Sequence, residues 1–545
     1  MQLFSSLTGP RALTLPEEAR HLAALAQSAS GDSSSLIPRV DERMLAVYER
    51  ANDPSDALEL RDLWLGRVEH ELGVHSHRPA LAARWRAART QRRVVPEEVL
   101  ASRSTVRLVK ELFNWFFRED LYGDLRSDSN LLLSGGSVDE AAWGLPAALK
   151  DCIGHALQRD WYGYSDSRGR GPALEAIAAY ESARIDGPGY EARNVAVTMG
   201  ATSAISSLAD FLLAGVPSGA AALCGIPNYP PLVESIARRR SVQLVPLAST
   251  SGYLSLEPLI ASLTPDTPLV MLQTAANPTG AVVRESELVH LIEAASPSTI
   301  IILDECHEWL GATERFSRAR SARNVIRVSS VSKAWSAPGL KIGWILADDR
   351  LVSDYYEYAS TTFGGPPSFF YTLIEVLARM ERWLITGVEQ IDQAALAEFE
   401  ASYGLDQSAL QRAYDSYRAE RAQREAALTT LRSAAIAGLS RASASVMPVR
   451  CSINLALTFP GWNDSYRCFR DLLRETGVAV FPGILNFCFS GGVVRVTSSR
   501  QWSDLSRAIS RLETGIERAR PPVAAVPPRA VPGRAPDPWL SSLAS

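Results

Sequence analysis

The run Ile300-Ile-Ile-Leu303 is apolar at four consecutive positions and is followed by Asp304. Successive side chains of a strand point to opposite faces, so a run without polar alternation has both faces covered. Such a strand belongs inside a parallel sheet with helices on either side. Comparable short runs stand at 195–198, 220–224, 243–246, 269–273, 325–329 and 342–347. Helical segments separate several of them. This alternation predicts a three-layer α/β domain with a mostly parallel seven-stranded sheet.

The 545 residues exceed what one such domain needs. Residues 1–126 read as a helical extension, and 127–160 as an arm leading into a smaller α+β domain. Residues 161–367 hold the sheet. Residues 368–520 carry long helices, including 409–431, then strand-like runs at 452–458, 478–481 and 493–496 and a last helix near 505–516. Residues 521–545 are Pro-rich and expected to be disordered or polyproline-like. Within the extension, Thr14 and Glu17 around Pro16 mark a helix start. Gly31-Asp-Ser-Ser-Ser35 marks a flexible break. Leu58, Leu65, Val68 and Leu72 recur at helical spacing, closed by Gly73. Val106, Val109, Phe113, Trp115, Phe116 and Phe117 make an apolar helix that has to pack on something.

A net charge of −4 argues against a polyanion binder. The six cysteines are scattered with no C-x-x-C pair, which argues against a zinc or redox motif and suits reduced thiols in a cytoplasm. Neither a signal peptide nor a membrane span is legible, so a cytoplasmic location without nucleic acid or membrane partners is expected.

Five strand-end loops carry chemistry. In open α/β sheets, side chains at the carboxyl ends of the strands converge on a ligand. Val197-Thr-Met-Gly-Ala-Thr-Ser203 runs from strand to helix, where the N–H groups of Ala201 and Thr202 suit an anion. Taken alone it is an ordinary turn. Tyr229, in Pro227-Asn-Tyr229, offers a ring for stacking on a heterocycle; alone it is a packing residue. Asn277-Pro-Thr-Gly280 is a tight turn whose amide can reach a phenolate oxygen. Asp304, in Asp304-Glu-Cys-His307, needs a cationic or hydrogen-bonding partner at the end of a buried strand, or else serves as a helix cap. Lys333, in Ser330-Val-Ser-Lys333, sits where an unpaired lysine is seldom buried unless it reacts.

In order and spacing, these loops resemble the class I/II aminotransferase family, fold type I enzymes that use pyridoxal 5′-phosphate, over about 131–512. The resemblance implies that Lys333 forms the Schiff base and shuttles the Cα proton. It implies that Asp304 keeps the ring nitrogen protonated, the state in which the ring withdraws electrons. Asn277 and His307 would contact the ring hydroxyl oxygen, and Tyr229 would stack. Ala201, Thr202, Ser330 and Lys341 would hold the phosphate. Arg495 would grip the substrate carboxylate, with Ser134-Gly135-Gly136 bordering it. Tyr164 would reach the phosphate of a partner subunit, which makes the enzyme a homodimer with shared sites.

Two departures qualify this. His307 stands where most members of the family have a tyrosine, a variant that resembles carbon–sulfur lyases of the same fold. Lys341 replaces the usual phosphate-clamping arginine, trading a planar fork for a point charge. The extension is absent from the common plan and suits an enzyme of bacterial specialised metabolism. Its Arg84, Arg86, Arg89, Arg92 and Arg93 around Trp85 read as a solvated face, or as a site for a phosphorylated or nucleotide-bearing substrate. Transamination is the leading expectation. β/γ-elimination or replacement, including on S-adenosylmethionine, is the alternative. A transcription regulator is the remote one, and it would need a winged helix that the extension does not spell out.

Overall fold

The computed structural model describes residues 2–5, 7, 9–26, 35–214, 219–311, 315–362 and 365–521. The expected break at 31–35 and the Pro-rich tail fall outside these residues, apart from Ser35 and Pro521.

Seven strands build the central sheet: β1 Val195–Thr198, β2 Ala222–Ile226, β3 Val242–Pro246, β4 Leu269–Gln273, β5 Ile300–Asp304, β6 Val325–Ser330 and β7 Gly343–Leu346. They run in the order β1-β7-β6-β5-β4-β2-β3. All are parallel except β7, which is antiparallel to both β6 and β1. The expected strand at 220–224 begins two residues late, because pairing with β3 starts at Ala222 opposite Val242. Burial on both faces holds throughout β1, β2, β4 and β6. The parallel direction brings the ends of β1, β2, β4, β5 and β6 to one edge of the sheet.

A second, antiparallel sheet joins β8 Ser445–Val446, β9 Asn454–Thr458, β10 Phe481–Pro482 and β11 Val494–Thr497 in the order β8-β9-β11-β10. The single strand expected at 478–481 is split. Val478–Ala479 pairs with the arm at Leu131–Leu132, whereas Phe481–Pro482 pairs with β11. The arm is therefore stitched to the smaller sheet. Gln407–Arg441 forms one helix of 35 residues.

Strand alternation turns Asp304 and its neighbour Glu305 to different partners. Glu305 receives Arg327 through two bonds of 2.8 Å and Arg320 at 2.7 Å. Arg327 also binds Glu181 at 2.7 Å, and Arg320 binds Glu308 at 2.8 Å.

The extension is helical, with helices at Glu17–Ala26, Glu42–Arg50, Ala57–Leu72, Pro79–Ala87, Pro96–Ala101 and Arg103–Trp115. Asp41, Asp56 and Ser102 cap three of them through side-chain oxygens. Gly73, at φ 57°, ends the third, a backbone that glycine adopts without strain. Leu65, Val68 and Leu72 are buried as their spacing predicts, but Leu58 faces solvent. The extension docks on the smaller sheet's helix Ser465–Thr476 through buried pairs: Arg67 to Asp464 at 2.5 Å and Arg470 to Glu69 at 2.7 Å. Phe116 packs edge-on against Phe469 and Phe481 at 4.8 and 5.3 Å. No named strand precedes Leu131 among the described residues, so nothing described there forms the wing of a winged helix.

Candidate active site

Lys333 lies three residues past β6. Its Nζ donates to the carbonyl of Gly136 on the arm. Burial, reinforced by the Arg495 guanidinium, pulls this amine down to about 8. It is therefore unprotonated far more often than a solvated lysine.

Asp304 ends β5. It accepts from Gln273 Nε2 at 2.8 Å and from the Cys306 backbone N–H at 3.1 Å. Burial raises its pKa against the pull of these bonds and of the Lys333 charge. His307 is buried and its Nδ1 has no hydrogen-bond partner. Burial, then Lys333 and Arg495, hold the imidazole well below its usual range, so it is neutral near pH 7.

Asn277 Oδ1 accepts from Arg495 Nη1 at 3.0 Å. That contact fixes which end of the amide faces the arginine. Arg495 lies on β11 directly opposite Phe481. Its guanidinium sits 4.0 Å from the Phe481 ring centroid, and Nη2 donates to the Ser134 carbonyl at 2.8 Å. The side chain is only 4% exposed and Nε has no partner. Burial drives its pKa down to about 9, and Arg500 adds to that. A surface strand arginine is excluded by this burial.

The arm passes between these cations. Gly135 O accepts from Thr497 Oγ1. A β-carbon on Gly136 would lie 3.4 Å from Arg495 Nη2, and one on Gly135 would collide with Arg500 Nη2. A side chain at position 135 would have to displace the Arg500 guanidinium, whereas one at 136 would only touch Arg495.

Tyr229 stands at the start of helix Pro230–Ala237, and burial raises its pKa. Phe113 of the extension meets its ring edge-on at 5.8 Å. At the end of β1, Gly200 takes φ 80° and the helix Ala201–Leu213 begins with no side chain capping it, which leaves its first N–H groups for an anion. Thr202 is exposed there. Lys341 is exposed and left-handed at φ 54°, with its Cα 3.8 Å from where a β-carbon on Gly200 would sit. Ser330 is buried, its hydroxyl 3.3 Å from Cys306 Sγ.

Tyr164 is fully exposed and makes no hydrogen bond or ring contact with these groups within its own chain. The arginines around Trp85 are exposed; Arg84 pairs with Asp62, and Arg50 covers the Trp85 ring at 3.9 Å. All six cysteines are free. No helix among the described residues is long and apolar enough to cross a membrane.

Sequence reasoning did not find Arg500, and it named Phe113 and Phe116 only as part of an apolar helix in need of a partner, without finding that partner in Phe481. For Arg500, the signal was available: a second arginine five residues after Arg495, next to a helix start.

The family model for aminotransferase class I and II matches residues 131–512. The chain is 32% identical over 242 residues to a probable N-succinyldiaminopimelate aminotransferase DapC of Mycobacterium tuberculosis, covering 40% of this chain and 56% of that protein. The match thus spans little more than half the length of that relative. A valine–pyruvate aminotransferase of M. tuberculosis is 25% identical over 408 residues, 72% of this chain and 92% of that one. Among solved structures, a double mutant of Thermus thermophilus aspartate aminotransferase superposes with a TM-score of 0.59 at 19% identity, over 78% of this chain and all of that one. N-succinyldiaminopimelate aminotransferase from M. tuberculosis gives 0.57 at 22%, over 77% and 99%. These likenesses establish the fold type I α/β architecture.

Proposed function

Because this chain belongs to the class I and II aminotransferase family, we propose that it is a pyridoxal-phosphate enzyme that moves an amino group between an α-amino acid and a 2-oxo acid. One observation carries the reading. A lysine lowered to about 8 shares a strand-end site with a buried carboxylate, a neutral imidazole and a carboxylate-free arginine.

The residues suit the cofactor. The His307 ring nitrogen lacks a partner, and the Asp304 carboxyl is raised by burial for want of a full cationic neighbour. Bound here, pyridoxal phosphate would supply an aldehyde for an amine and an electron-poor ring that spreads charge from the substrate Cα. Asp304 would hold a proton at the ring nitrogen. Asn277 and His307 would meet the ring hydroxyl, Tyr229 its face, and Ala201, Thr202, Ser330 and Lys341 the phosphate. Arg495 binds and orients the substrate α-carboxylate, with Gly135 and Gly136 alongside. Lys333 Nζ takes the proton from the substrate Cα. Phe481 covers the Arg495 guanidinium and keeps water from it, which strengthens its grip. Tyr164 serves the partner subunit of a homodimer, in keeping with its exposure in the single chain.

The finer reading is a cytoplasmic enzyme of specialised metabolism. In it, residues 1–126 adapt a catalytic body made of an arm (127–160), a cofactor-binding domain (161–367) and a smaller domain (368–520). A second reading, β/γ-elimination or replacement, draws on His307 and Lys341, which depart from the common pattern.

The test is chemical. Purified protein with added cofactor, treated with borohydride and mapped by peptides, should carry the tag on Lys333; a tag elsewhere overturns the assignment. Glutamate formed from 2-oxoglutarate and an amino acid supports transamination. Pyruvate or 2-oxobutyrate released without an acceptor replaces it with elimination.

A further inference from the structure

We propose that the cleft between the long helix Gln407–Arg441 and the loops after β5 and β6 is a second ligand site, built for an organic acid: an oxyanion read by Arg424 and Trp309, carried on an apolar body. This site is independent of the aminotransferase reading and separate from the substrate site, since none of Lys333, Asp304, Asn277 and Arg495 lines it.

The cleft encloses about 1360 Å³, room for a small molecule. Four glutamates line it, and each is already engaged. Glu285 and Glu308 bind Arg320, while Glu381 and Glu425 bind Arg421. Arg424 lines the same cleft, is only 4% exposed and has no ion pair among the described residues. Its Nη1 donates to the Ala334 carbonyl at 2.5 Å and its Nη2 to the Ser336 hydroxyl. It thereby clasps the chain on both sides of Trp335, just past Lys333. Its Nε has no partner. A guanidinium carries five N–H donors, so two bonds to neutral groups leave it incomplete.

The adjacent turn of the helix shows a completed counterpart. Burial pulls Arg421 down as it does Arg424, yet Glu381 lifts Arg421 above its ordinary range, whereas Arg424 falls to about 10. A buried cation without a counter-charge costs stability unless a ligand supplies one.

Trp309 gives an independent sign. Its ring lies 5.9 Å from the Arg424 guanidinium, and its indole N–H is buried without an acceptor. An indole nitrogen can only donate. Two incomplete donors side by side, one of them charged, match an oxyanion. Leu384 and Ile385 add apolar surface to the same cleft, Ile385 at 45% exposure. A carbon skeleton on the acid would cover it.

The experiment uses the cofactor-loaded Arg495→Met protein, which lacks the carboxylate-reading arginine of the substrate site. Phenylacetate, phenyl phosphate and the neutral phenylacetamide are titrated by calorimetry. At least one anion should bind with a Kd of about 1 mM or tighter, and at least about tenfold more tightly than the amide. Tighter phenylacetate makes the ligand a carboxylic acid; tighter phenyl phosphate makes it a phosphate ester. Adding Arg424→Leu should weaken the preferred anion at least about tenfold. Adding Trp309→Phe, which keeps a ring and removes the N–H, should weaken it about two- to tenfold. Anions that bind no better than the amide, or whose affinity survives Arg424→Leu, overturn the proposal. Where Arg424→Leu does not fold, unchanged affinity in Trp309→Phe overturns it instead.

Discussion

Two groups of buried arginines differ in what surrounds them. Arg320 and Arg327 sit within a cluster of carboxylates. Burial pushes the Arg327 guanidinium down, yet Glu305 and Glu181 together lift it well above its ordinary range. Arg495 is buried to a similar degree but meets an amide, a carbonyl and a ring, and it falls to about 9. The first group is complete and holds the protein together. The second is incomplete, and on the proposed reading its missing partner is a substrate carboxylate.

That contrast can be attacked experimentally. The largest effect belongs to the complete group. Glu305→Ala breaks three charge-assisted bonds in the interior, leaving Arg327 to Glu181 and Arg320 to Glu285 and Glu308, and should cost about 3–5 kcal/mol, read by urea unfolding. An unchanged midpoint would erase the distinction. Next comes Arg495→Met. It should lower kcat/KM by about 10- to 100-fold, the worth of about 1.5–3 kcal/mol for a hydrogen-bonded charge, while calorimetry shows a melting temperature unchanged or higher. Loss of stability in step with activity would place Arg495 in the first group.

A smaller effect sharpens the link between Arg495 and Lys333. In the protein without cofactor, acylation of Lys333 should rise with a midpoint near pH 8 rather than the ordinary 10.5. Arg495→Met removes a like charge and should move that midpoint upward. The sign for stability follows. A lysine lowered on folding costs stability fully below pH 8, and the cost fades as pH climbs to 10.5. The smallest effect is a control: Arg84→Ala, an exposed partner of Asp62, should change unfolding by no more than about 0.5 kcal/mol.

The central sheet was legible because β4 and β5 announce their burial by lacking alternation. The loops were legible because Asn277, Asp304 and Lys333 stand in fixed order after strands. Other features were not. Arg327 interrupts an apolar strand, and a lone charge there reads as an exposed edge; only the fold reveals Glu305 and Glu181 waiting for it. Helical periodicity showed that 103–117 buries an apolar stripe, but not that Phe116 would land on Phe481 beneath Arg495. Leu58 misled because three buried neighbours at the same spacing, Leu65, Val68 and Leu72, suggested a longer stripe than the fold covers.

Lys341 carries a different lesson. Its left-handed backbone disfavours any residue with a β-carbon by roughly 1–2 kcal/mol, and glycine would relax it. The chain tolerates that tension beside Gly200 and keeps an ammonium group there. A relaxed backbone and a nearby positive charge are competing demands at this turn, and the sequence has settled for the charge.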